Sequence, residues 1–139
     1  MEFFITVIFI LFAHYIADFV LQTKHMKADK SEKIGILTGH VALYTLVFFN
    51  MFLIYGLTLN GLSLTVLTTQ QWFQLAIGVS TVNGILHYII DYFTSQLNKW
   101  LWNTKRTNLF FISIGFDQFL HTGLLVFSFA QMLQNMSYI

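Results

Sequence analysis

The chain has 139 residues, enough for one domain, and 56% of them are hydrophobic while only 9% are charged. Soluble domains usually carry about 25% charged residues, so a soluble globular domain is excluded, and no nucleic-acid partner is expected at a net charge of +1. Cysteine is absent, which removes disulfides, thiolate metal sites and cysteine nucleophiles. Any metal would have to be held by nitrogen and oxygen.

The opening Met1-Glu2-Phe3-Phe4 has no basic region and no small-residue cleavage site, so it does not read as a removable signal peptide. A first helix is expected over about 3–22, carrying His14, Asp18 and Gln22. The loop after it holds Lys24, Lys27, Lys30 and Lys33, and it would attract anionic headgroups or a phosphate. A second helix, about 34–56, carries His40 and Tyr44. The next loop, about 57–71, has no charged residue. A third helix, about 72–97, carries Asn83, His87 and Asp91. Lys99, Lys105 and Arg106 follow it, and a fourth helix, about 109–134, carries Ser113, Asp117 and His121.

Each apolar run is long enough to span a bilayer, which takes roughly 20 residues. There is no proline to break one. The expected fold is therefore an all-α integral membrane protein. It is a four-transmembrane-helix bundle forming a single domain over 1–139. All seven Lys and Arg lie in two loops on one side, and the positive-inside rule makes that side cytoplasmic. Both termini then face the non-cytoplasmic side. Trp100 and Trp102 suit the cytoplasmic interface and Trp72 the outer one. The expected location is the bacterial inner membrane, with the lipid bilayer as first partner and a homo-oligomer as another.

Two hexamers nearly coincide. Residues 14–19 read His-Tyr-Ile-Ala-Asp-Phe and 87–92 read His-Tyr-Ile-Ile-Asp-Tyr, identical at four of six positions. Helices 1–2 and 3–4 are then expected to form a parallel repeat about an axis along the membrane normal. Asp117-Gln-Phe-Leu-His121 carries the same pair reversed. At i, i+4 each His and Asp share one helix face. Counted from the basic loops at about 1.5 Å per residue, all four helices place polar groups in one layer of the cytoplasmic half.

A central Asp costs roughly 2.5–3.5 kcal/mol on insertion scales. A divalent cation would offset three of them, and helix bundles commonly build such sites from inward carboxylates and imidazoles. The expected metal residues are His14, Asp18, His40, His87, Asp91, Asp117 and His121. The oxygen and imidazole donors suit Zn, Mn or Fe. Tyr44 and Gln22 are the catalytic candidates. A metal-free hydrogen-bonded or proton-relay network is the competing explanation, and haem ligation is a third. His25 is expected to be solvated.

The stretch His14-Tyr-Ile-Ala-Asp18-Phe-Val-Leu-Gln22, with Met26, Lys30, His40, Tyr44, His87, Asp91 and Asp117-Gln118-Phe-Leu-His121, resembles an uncharacterised bacterial membrane family, domain of unknown function 3307. That resemblance implies no activity. The His-x-x-x-Asp pairs are also similar to those of predicted membrane-bound metal-dependent hydrolases. Three functions therefore stand open. One is a metal-dependent hydrolase acting on a lipid or phosphate-bearing substrate from the cytoplasmic leaflet. The second is a metal-ion or proton transporter or permeation subunit. The third is a non-catalytic subunit whose polar network is structural.

Overall fold

Among residues 2–136, which the computed structural model describes, the chain is helical without a strand. Helix α1 (Glu2–Tyr15) runs on into a π-helical turn over Ile16–Val20. Then come α2 (Lys24–Asp29), α3 (Ile34–Gly61), α4 (Thr69–Asn103) and α5 (Thr107–Met136). The first helix with its π turn, α3, α4 and α5 are each long and apolar enough to cross a membrane.

Helix ends depart from the sequence expectation in an informative way. The third span starts earlier because Thr68 and Gln71 form a capping box, each satisfying the other's backbone N–H. It also ends later, so Lys99, Trp100 and Trp102 lie within α4 rather than in a loop. The second span passes Gly56 and stops at Gly61. Both α3 and α4 finish in six-to-one backbone closures, Leu64 N to Leu59 O at 2.9 Å and Arg106 N to Leu101 O at 2.9 Å. The left-handed residue at each closure is not glycine but Ser63 (φ 54°) and Lys105 (φ 56°). The first basic loop holds the unexpected α2, capped by Thr23 Oγ1 accepting from Met26 N at 3.3 Å. After it, Lys33 donates to Asp29 at 2.8 Å, which holds that carboxyl below its ordinary range.

In the bundle α1 packs on α3 and α5, and α4 packs on the same two helices. Among the described residues α1 and α4 make no comparable contact, nor do α3 and α5. The two helices bearing the repeated hexamer therefore stand on one diagonal. Phe4, Phe93, Phe111, Phe119 and Phe127 point outward, each more than 60% exposed, while His14, Asp18, His40, Asn83, His87, Asp91, Asp117 and His121 are buried. This inside-out polarity suits an apolar solvent.

Away from the basic loops the centre is filled by Phe48, Phe52, Trp72, Leu125 and Phe129, all fully buried. Phe52 sets its edge against Trp72 at 5.7 Å and against Phe129 at 5.8 Å between ring centres. Trp72 is thus a core residue and not an interfacial one, a correction to the sequence expectation. The cause is Gly56: its missing Cβ leaves the space that the indole occupies.

Candidate metal centre

Four donor atoms converge between the diagonal helices. His40 Nε2 (from α3) and His87 Nε2 (from α4) are 3.1 Å apart. Asp18 Oδ1 lies 3.2 Å from His40 Nε2 and 3.4 Å from His87 Nε2. Asp91 Oδ2 lies 3.3 Å and 3.5 Å from the same two nitrogens. All four side chains are buried. Asp18 reaches this point from the π-helical turn, where Leu21 N bonds back to Ile16 O at 3.1 Å in an i→i+5 closure. Such turns recur at functional sites, because the extra residue re-aims a side chain.

A second ring of groups surrounds the four. The Tyr44 hydroxyl is 3.2 Å from His14 Nδ1, and its ring stacks on His87 at 4.2 Å. His14 Nε2 lies 3.9 Å from Asp18 Oδ2. The His87 and His121 rings are 4.2 Å apart. His121 Nδ1 meets the Asp117 carbonyl oxygen of its own helix at 2.9 Å. Asp117 accepts from Thr94 Oγ1 at 2.6 Å and from Gln118 Nε2 at 3.0 Å. Donor atoms of His14, Asp18 and His87 lie within 4.8 Å of one another, as do those of His40, His87 and Asp91, and those of Asp91, Asp117 and His121.

The donor chemistry fits a divalent cation. Ligands at about 2.0–2.1 Å from a four-coordinate Zn²⁺ stand roughly 3.3–3.4 Å apart. The His–His and His–Asp separations bracket that figure. Without a cation the arrangement is poorly balanced. Two N–H groups cannot face each other at 3.1 Å, so at least one Nε2 presents a lone pair beside two carboxylates. Among the described residues the ammonium in contact is that of Lys30, whose Nζ donates to Asp91 Oδ2 at 2.8 Å. His14 Nε2 and His121 Nε2 are buried without a hydrogen-bond partner and keep free donor capacity. His40 Nδ1 and His87 Nδ1 are also unpartnered, so among the described residues no group holds either ring from behind. That differs from the usual carboxylate or carbonyl behind a metal-bound imidazole.

The structure brings the seven expected metal residues into one buried layer, four of them at its centre and His14, Asp117 and His121 around it. Tyr44, one of the two catalytic candidates, contacts His14 through its hydroxyl and His87 through its ring. Gln22 lies beyond the helical span expected to hold it, with Nε2 at 3.4 Å from His40 Nε2. Sequence periodicity missed Lys30, which reaches the centre from a loop where no spacing rule applies. Thr94 was missed too, and so was Ser95. Ser95 sits one turn beyond Asp91 and continues the stripe Asn83, His87, Asp91 at the same four-residue interval, a signal that was there to be used.

A family model described as protein of unknown function (DUF3307) matches residues 5–139. No curated protein and no solved structure matches the chain.

Proposed function

The chain belongs to the DUF3307 family, whose function is unknown, and we propose that it is a multi-pass membrane protein that holds a divalent metal inside its bundle and uses it hydrolytically. The convergence of His40, His87, Asp18 and Asp91 carries this reading. Zn, Mn or Fe are the ions these donors suit. Asp91, Asp117 and His121 would offer a second position that shares Asp91. In this reading the positive-inside rule, applied to the two basic loops, favours a centre in the cytoplasmic half of a bacterial inner membrane with both termini outside. The diagonal placement of α1 and α4 is what a two-helix parallel repeat requires.

The substrate class follows from access. Phe48, Phe52, Trp72, Leu125 and Phe129 close the bundle on the side away from the basic loops. On the basic side Lys30 and Gln22 touch the centre from loop positions, so a substrate arrives from the cytoplasmic leaflet. That sealed half supports a hydrolase over a transporter, which needs a route through. A bound divalent cation supplies charge neutralisation and Lewis acidity toward an ester or phosphoryl oxygen. Around it, Tyr44 fixes the His14 and His87 rings. Gln22 offers a neutral amide beside His40, and Lys30 offers a positive charge where an anion would develop.

The test is turnover of a panel of fluorescent phospholipids, lipid esters and small phosphoesters by purified protein loaded with Zn²⁺, Mn²⁺ or Fe²⁺. Hydrolysis of a lipid-type member should appear, stop with chelator, and be lost in Asp91→Asn. No turnover with any ion on any member would refute the hydrolase reading.

A further inference from the structure

A cavity of about 320 Å³ opens at the basic end of the bundle, between the loop after α2 and the ends of α4 and α5. Its polar wall holds Lys30, Ser31, Ser95, Asn98 and Lys99, and Trp102 stands beside them. Phe110 and Ile114 of α5 form the opposite, apolar wall. We propose that this cavity binds the phosphate of a membrane lipid headgroup. The inference rests on the lipid-substrate reading above and names the site that would hold that substrate.

Four observations carry it. Ser95 is only 8% exposed, and its hydroxyl has no hydrogen-bond partner. A buried hydroxyl left unpaired costs about 1–3 kcal/mol, so a ligand oxygen is its natural complement. Asn98 lines the same wall, and its side-chain amide N–H groups are donors of the kind a phosphate oxygen takes. Lys30 commits one N–H to Asp91 Oδ2 and, with three ammonium hydrogens, keeps others for the cavity it lines. Lys99 adds a second ammonium at the mouth, where Glu32 pairs with it. The charged groups at this cavity are thus Lys30 and Lys99, with Asp91 behind one and the exposed Glu32 beside the other.

The division into polar and apolar walls selects a lipid over a free anion. A phosphate seated on Lys30 and Ser95 leaves its glycerol and chains against Phe110, Ile114 and the exposed Trp102, the residue type favoured at membrane interfaces. Lys30 then links the two sites, with one hydrogen on the phosphate and one on a centre carboxylate.

Binding can be read apart from turnover. The delipidated 139-residue protein would be titrated, by native mass spectrometry, with phosphatidic acid, with diacylglycerol of the same chains, and with inorganic phosphate. One phosphatidic acid should be retained, at least tenfold more tightly than diacylglycerol, with inorganic phosphate a weak competitor. Ser95→Leu should lower that affinity at least tenfold. Lys99→Gln, at a half-exposed position where folding is not at stake, should lower it severalfold. Metal content should be unchanged in both, which separates the cavity from the centre. Equal retention of the two lipids, tight binding of inorganic phosphate alone, or wild-type affinity in Lys99→Gln and Ser95→Leu would overturn the proposal. Phosphatidic acid bound while no member of the substrate panel is hydrolysed with any ion would leave the site intact and remove the hydrolase reading instead.

Discussion

Tyr44 separates positioning from ligation. Its hydroxyl meets His14 Nδ1 and its ring lies on His87, so Tyr44→Phe keeps the stack and deletes one buried hydrogen bond. The expected loss is about 1 kcal/mol of stability with the metal retained, checked by thermal unfolding in detergent and metal analysis of the same sample. Asp91→Asn removes a donor charge that also holds Lys30, so metal content should fall at least tenfold. At this scale the sequence was informative where helical spacing applied. The i, i+4 pairs His14/Asp18 and His87/Asp91 point to residues whose donors do converge. Helical spacing could not reveal that Lys30 reaches the centre, because a loop has no period. Nor could it separate the four central residues from His14, Asp117 and His121, because that depends on a π-helical turn that re-aims Asp18 by one residue.

Helix ends and helix contacts were less legible, for reasons that belong to caps and glycines. Gly84 faces Thr45 so closely that an added Cβ would collide with its hydroxyl, which fixes how near α3 and α4 approach. Gly84→Leu should therefore destabilise the bundle by about 1–3 kcal/mol, as overpacking generally does, and it should broaden the thermal transition. The opposite sign is expected at Ser63, where a non-glycine residue holds φ 54°. Left-handed geometry costs a side-chain-bearing residue roughly 1–2 kcal/mol, so Ser63→Gly should raise stability by up to about 1 kcal/mol after the added chain entropy. The apolar run through Gly56 reads as a helix end, yet the helix continues to Gly61 and Gly56 serves instead as the seat of the Trp72 indole. That is a tertiary fact with no local signature.

For the whole molecule, composition and the two basic clusters were sufficient to anticipate four long apolar helices, since little else can be built from 56% hydrophobic residues in runs of this length. The topology proposed from the same clusters is simple to measure, because the protein has no cysteine. Ser31→Cys should react with a membrane-impermeant maleimide only after cells are opened, and Ser63→Cys should react on intact cells. The reverse pattern would invert the bundle and move the centre to the outer leaflet. The claim on which the rest depends is that two imidazoles and two carboxylates meet around a cation. The direct measurement is elemental analysis of protein purified without chelator, beside an Asp18→Ala/Asp91→Ala double variant that still elutes as folded protein. One or two equivalents of Zn, Mn or Fe in the wild type, and less than a tenth of that in the variant, is the result expected. A wild type free of transition metal, or a variant that binds it equally well, would contradict the account and leave a buried hydrogen-bonded network in its place.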